Sequence, residues 1–471
     1  MFKKNLVKAL GLALVFASSA QAMTLDWTGG YRFEWTEVDR PTLGTPGERK
    51  AYGLNSLYLS PKIIAADGVN VVSRFDLLTN SLYEGSQLGE IWGVNTSTSA
   101  VTSRNQGATN IQTSHLYLNV NQEYGALIVG RAPFEFGLGL SYNAGKGAFD
   151  HWYDTRDMVA YKIVVGDWFF MPVLSRKQSG SGFGQGKTIS STGFQLQYES
   201  EENKSTIGIF QENIRGAQSV LDYTPGQIAA YGGVGATATS DLSIQKTNFV
   251  LGRGFDSFGF KVEAGFQSGE TGISNGTEDI SVNGYGIAAE FYIPKSESKW
   301  DWSLKAGMAT GDDAASTEFG AFAFNRNYDV AMLMFNHRLG QRDFLNTNAL
   351  RTDTDAAAAT TLPNVGNSAD DESISNAIYI APSANYVWSE RLDVRNTLVY
   401  GQLLNSVKNS VDSTKDLGLE WDIELIYKPS EKIQWVNQLG LLFPGSAWKN
   451  GAEGLGSDFT YGFASKAAIS F

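Results

Sequence analysis

The chain reads as an all-β protein, a transmembrane antiparallel β-barrel of about eighteen strands. Three features predict this: an export leader, long segments alternating at a period of two, and connections that alternate between short and long. Composition agrees. Of 471 residues, 51 are Gly and 12% are aromatic, while Pro is only 11. Glycine weakens helix interiors, and disordered chains are poor in aromatics.

The leader covers residues 1–22. Lys3, Lys4 and Lys8 precede an apolar run from Ala9 to Phe16, and Ala20-Gln21-Ala22 is a small-x-small cleavage signature. The apolar run is too short to span a bilayer, which takes about 20 residues. The mature protein is expected to begin at Met23. Removing three lysines and no acids takes the net charge from −12 to −15.

Residues 24–36, TLDWTGGYRFEWT, place Leu25, Trp27, Tyr31, Phe33 and Trp35 on one face. Asp26, Thr28, Arg32, Glu34 and Thr36 fall on the other. The pattern returns as Phe260, Val262, Ala264 and Phe266 against Lys261, Glu263, Gly265 and Gln267. It returns again as Leu417, Leu419, Trp421, Ile423, Leu425 and Tyr427 against Glu420, Asp422, Glu424 and Lys428. Charges at strand centres need water on that face, and a barrel needs only every second residue apolar. A mean hydropathy of −0.20 is therefore compatible with a membrane protein.

Short turns are read at 64–67, 121–124, 166–167, 200–203, 254–256, 294–298, 389–390 and 429–430. Long loops alternate with them at 37–49, 80–110, 135–157, 178–188, 215–241, 270–280, 312–373, 405–414 and 444–457. Strands are expected near 24–36, 50–63, 68–79, 111–121, 125–134, 158–166, 168–177, 189–199 and 204–214. The second half adds 242–253, 257–269, 281–293, 299–311, 374–388, 391–404, 415–428, 431–443 and 458–471. Asn327–Phe335 could be a further strand. An even count keeps both termini on one side, so it is placed inside the 312–373 loop of a single barrel domain, 23–471. Gly137 and Gly139 would let the 135–157 loop fold inward, or that loop stands outside.

The closing strand puts Phe459, Tyr461, Phe463, Ala467, Ile469 and Phe471 on one face. With its terminal Phe it looks like the sorting signal read by the barrel-assembly machinery of bacterial outer membranes. The mature chain resembles bacterial outer-membrane porins in architecture. More narrowly it resembles the eighteen-stranded alginate-export family, through Phe149–Asp157, Asn327–Phe335 and the hairpin from Tyr427–Lys432 to Phe443–Gly445. The resemblance implies the outer membrane of a Gram-negative bacterium, with membrane lipid, lipopolysaccharide and small solutes as partners. Alginate exporters have a predominantly basic lumen, whereas this chain mixes signs on its inward faces.

Nothing calls for bond chemistry. There is no Cys, and the three histidines, His115, His151 and His337, lack metal-ligand spacing. Asp150, Asp154 and Asp157 around His151 are the best catalytic or calcium candidates. The plain alternative is a polar loop, so no catalytic residue, metal or cofactor is assigned. The acidic balance gives no support to a nucleic-acid partner. The expected function is passive diffusion of small hydrophilic solutes, anions among them. Expected pore-lining residues are Arg32, Arg74, Arg131, Lys162 and Lys466 as a basic arc, with Glu420, Asp422 and Glu424 as an acidic ladder across from it. Neighbouring charges that merely neutralise each other are the competing reading. Two rival functions are a plugged barrel with partner-binding loops and a barrel-mouth hydrolase.

Overall fold

The computed structural model describes residues 24–44, 49–77, 89–90, 111–178, 188–217, 237–274, 276–295, 298–312, 318–341, 372–405 and 414–471. The expected leader with its expected cleavage site, and most of the Ala-, Thr- and Asp-rich stretch 351–373, lie outside these residues.

Eighteen long strands form the wall. They are β1 (Thr24–Asp39), β2 (Arg49–Ala66), β3 (Val69–Leu77), β4 (Ile111–Gln122), β5 (Gly125–Pro133) and β6 (Thr155–Val165). Then come β7 (Trp168–Gln178), β8 (Thr188–Ser200), β9 (Ser205–Gly216), β10 (Leu242–Gly254), β11 (Gly259–Ser274) and β12 (Asp279–Ile293). The last six are β13 (Trp300–Ala309), β14 (Ala377–Ser389), β15 (Leu392–Leu403), β16 (Asp416–Ser430), β17 (Ile433–Pro444) and β18 (Thr460–Ser470).

Each strand pairs antiparallel with its successor, and β18 closes on β1. The seam is completed when Phe471 and Gly29 exchange backbone hydrogen bonds of 2.9 and 3.0 Å. Closure leaves no open sheet edge, which hydrocarbon could not satisfy. No helix among the described residues is long and apolar enough to cross a membrane.

The period-two pattern sorts the faces as expected. Trp27 is 53% exposed on the outside, and Phe266, Leu419 and Trp421 are exposed with it. Arg32, Glu34, Glu263, Glu420 and Asp422 point inward and are buried. Trp168, Tyr292, Trp300, Trp388 and Trp435 gather on the outside near the short turns, as an interfacial aromatic girdle.

Two details depart from the sequence reading. Leu417 belongs to the outward set by parity but is fully buried. Gly418, at φ 103°, makes a bulge that leaves one extra residue between the Gly401 and Gln402 pairings and turns Leu417 inward. Second, the expected long loop 270–280 is mostly wall, because β11 runs to Ser274 and β12 begins at Asp279. The Thr271 hydroxyl donates to the Ile280 carbonyl at 2.8 Å, and Ile273, Ile280 and Val282 pack on Phe319. Apolar burial therefore extends this hairpin beyond the turn-rich pattern of its sequence.

The register sets a stability test. Leu419→Arg should destabilise the barrel in lipid by about 2–4 kcal/mol if it lies near mid-bilayer. Glu424→Arg, facing the lumen, should cost clearly less in the same urea titration. Equal losses would mean that the two faces are misassigned.

Candidate functional site: two loops folded into the barrel

The loop between β5 and β6, residues 134–154, turns into the lumen. Gly137 at φ 63° and Gly139 at φ 82° allow the turn, and a Cβ at 137 would strike the Glu263 carboxylate. Glu263 Oε2 on β11 accepts the backbone N–H groups of Leu138 (2.6 Å) and Leu140 (3.2 Å). Lys261, one pleat along, donates to the Gly137 carbonyl at 2.6 Å.

The loop's far end is held by charge. His151 Nε2 meets both Glu34 oxygens at 2.9 and 3.0 Å. Arg156 donates to Glu212 at 2.6 and 3.3 Å, with its guanidinium over the Phe134 and Tyr142 rings. Tyr142 donates to the same carboxylate, and burial followed by the Glu212 charge raises its hydroxyl pKa well above normal. Burial pushes Tyr153 up to about 12, so this phenol stays neutral at ordinary pH.

The second inward segment is 318–341. Glu318–Phe319 first pairs in parallel with Ser281–Val282 of β12. The chain then carries Phe322, Phe324, Tyr328, Val330, Met332, Leu333, Met334 and Phe335 against the inner wall, all buried. The wall receives them at positions without side chains. A Cβ at Gly401 would lie 2.7 Å from Met334 Sδ, and one at Gly462 2.6 Å from Leu333 Cδ2. Glu420 accepts the N–H groups of Leu333 and Met334 at 2.6 and 2.7 Å, and Asp422 accepts that of Met332 at 3.0 Å. Asn327–Phe335 is thus a lumenal segment rather than a nineteenth strand.

The two loops latch to each other. Asn327 Oδ1 accepts the N–H groups of His151 (3.2 Å) and Trp152 (3.0 Å), and its amide donates to the Trp152 carbonyl. Asn325 Nδ2 donates to Asp154 at 3.0 Å, where the Asn143 N–H also donates at 2.7 Å.

Open space survives from β17 and β18 across β1–β4, and along β5–β9 and β11. One cavity of about 440 Å³ is bordered by Arg32, Tyr58, Arg74, His115, Lys146 and Lys432. Another of about 390 Å³ is bordered by Lys146, Lys162, Gln195, Gln197, Glu199 and Lys261. Arg74 is paired with Asp76 at 2.9 Å and lies 4.2 Å above the Tyr58 ring. Lys466 sits across from Glu34 in the β1–β18 register.

Three expected pore residues are placed differently. Arg131 points out of the barrel. It shares a face with Val129, sits opposite the exposed Leu116, and grips Asp157 at 2.7 and 2.9 Å. Glu420 and Asp422 lie beneath the second loop, at 0% and 4% exposure, and bind its amides. Glu424 faces inward but pairs with Arg395 at 3.3 Å. The acidic ladder is not across the lumen from the basic arc either, since only β17 and β18 separate β16 from β1.

The aspartate cluster is dispersed. Asp150 accepts the Gly147 N–H, Asp154 joins the latch, and Asp157 is outside. Among the described residues no group of acids and histidines could hold a metal. The sequence reading missed Glu263, Glu212, Arg156 and Asn327. For Glu263 a signal existed, namely an acid on the inward face with a glycine two residues away.

No family model matches the chain, and no curated protein matches it. Solved structures do. Pseudomonas aeruginosa OccK9 (OpdG) aligns over 95% of this chain and 98% of its own, at 11% identity and a TM-score of 0.50. Pseudomonas aeruginosa OccK11 (OpdR) aligns over 95% and 96%, at 7% identity and a TM-score of 0.50. The likeness is one of fold.

Replacing Glu420 and Asp422 together by Ala leaves three buried N–H donors without acceptors, roughly 1–3 kcal/mol each. The second loop should loosen, and single-channel recordings should show larger or noisier currents from a barrel that still assembles. Currents identical to wild type would mean that these bonds do not restrain the loop.

Proposed function

We propose that the protein is an outer-membrane diffusion channel of a Gram-negative bacterium, passing small hydrophilic anions. A barrel of sixteen or more strands holds an aqueous channel unless loops fill it, and here the loops fill one side and leave the other. The observation that carries the anion preference is the occupation of the acids. Glu263, Glu420 and Asp422 bind backbone amides, and Glu34 and Glu212 bind His151 and Arg156. Arg32, Arg74, Lys146, Lys162, Lys261 and Lys432 border the remaining space, Arg74 with its partner Asp76 and Lys146 with Glu135. Asp150, Glu135, Glu199 and Glu431 share it, which tempers the field without reversing it.

Selection then needs no bond chemistry. Low-dielectric walls focus the field of the lumenal cations and raise the local anion concentration. Cavities of a few hundred cubic ångströms suit small solutes better than a polysaccharide. The resemblance to alginate exporters rests on its short sequence stretches. Arg32, Arg74, Lys162 and Lys466 are the proposed pore-lining cations, and the outward strand ending in Phe471 is the proposed assembly signal.

A second reading, a plugged barrel, has one observation in its favour, the depth of the apolar segment Phe322–Phe335. Planar-bilayer recording separates the two. The channel should conduct, with a reversal potential in a salt gradient on the anion side. Lys162→Gln combined with Lys432→Gln should move that potential toward cation selectivity, lowering the permeability ratio by roughly half. A barrel that never opens, or one already selective for cations, would overturn the proposal.

A further inference from the structure

We propose that the outer face of β5–β10 binds the phosphate groups of lipid A in the outer leaflet. The inference rests on the outer-membrane location proposed above and concerns the outside of the barrel, not the channel.

The cross-strand register lines up one outward row: Arg131, Asp157, Arg176, Ser190, Arg215 and Ser243 on six consecutive strands. The three arginines stand on alternate strands and are exposed; Asp157 is the one acid of the row on these six strands, and the exposed Glu270 follows Ser243 on β11. The row therefore carries a net charge of about +2. Elsewhere on the outside, Arg49 at the end of β2 stands apart from the row and pairs with Glu37 at 2.9 Å.

At the β9–β10 end of the row the apolar belt is short, whereas β7 carries Trp168, Phe170, Pro172 and Leu174 beneath Arg176. From the short turn upward, β9 presents only Ile207 and Ile209 before Gln211, Asn213 and Arg215. β10 presents Leu251 and Phe249 before Thr247, Gln245 and Ser243. By contrast β16 presents Tyr427, Leu425, Ile423, Trp421 and Leu419 without a polar break. Three outward side chains fewer amounts to roughly 20 Å less apolar strand. Hydrocarbon cannot satisfy these amides and hydroxyls, so polar headgroups must come lower here. Lipid A supplies sugars for the amides and phosphates for the arginines, whose planar forks suit phosphate oxygens. A second copy docked face to face would instead set two rows of like charge against each other.

The test uses the purified full-length protein in micelles freed of lipopolysaccharide, with native mass spectrometry to count bound lipid. Bisphosphorylated lipid A should bind, and its fully dephosphorylated form should bind at least about tenfold more weakly. Arg176→Gln with Arg215→Gln, which leaves the Arg131–Asp157 pair intact, should lose affinity by a similar factor, while Arg49→Gln should not. If that double variant does not fold, binding to the native protein between 50 and 500 mM salt is the readout, and it should weaken steeply. Equal binding of both lipids, an unaffected double variant or salt-independent binding would overturn the proposal. So would near-complete dimer cross-linking through Asn213→Cys, which would assign the face to a second copy. Fractionation of cells into inner and outer membranes separately tests the location on which the inference rests.

Discussion

A carboxylate aimed into a barrel must find donors, and here several of those donors are backbone amides of loops that have folded inside. Glu263 takes two amides of the 134–154 loop, and Glu420 and Asp422 take three of the 318–341 segment. Irregular backbone carries unpaired N–H groups, which are costly wherever water is excluded. Buried acids carry the opposite deficit. Each satisfies the other, and the loops can leave the solvent-rich barrel mouth for the interior. The apolar contacts around Phe322–Phe335 would not suffice alone, since they do nothing for the backbone they enclose.

That pairing sets the electrostatics of the lumen. The chain is strongly acidic overall, yet net charge is not the charge a solute meets. Acids engaged by amides, His151 or Arg156 are withdrawn behind loops, and of the cations bordering the two cavities Arg74 and Lys146 in turn hold Asp76 and Glu135. The same logic separates inside from outside. Arg131 and Lys162 both belong to the β5–β6 hairpin, but strand parity sends one toward lipid and the other into the lumen.

The wall was legible in the sequence because a two-residue period, aromatic faces and turn chemistry are local. The strand positions follow from them, with small shifts where Gly418 bulges and where apolar packing lengthens the β11–β12 hairpin. The inward fate of Phe319–Phe335 was also foreseeable, since that much apolar surface does not stay in water. What local pattern could not supply was partnership. An inward Glu420 reads as pore-lining until the loop that covers it is known, and that loop is nearly ninety residues away in the chain. The glycine sockets at 401 and 462 likewise become meaningful only beside Met334 and Leu333. Arg131 was misread because it lies near the end of a short strand, where the alternating pattern has few neighbours to fix its phase.

Amide hydrogen exchange on the intact protein in lipid bilayers tests most directly whether wall carboxylates hold the loops inside. The amides of Leu138, Leu140, Met332, Leu333 and Met334 should exchange on the timescale of the barrel strands, orders of magnitude slower than an exposed loop. Fast exchange at these five positions, with the strands still protected, would contradict the account, because the loops would then be visitors to the lumen rather than parts of its wall.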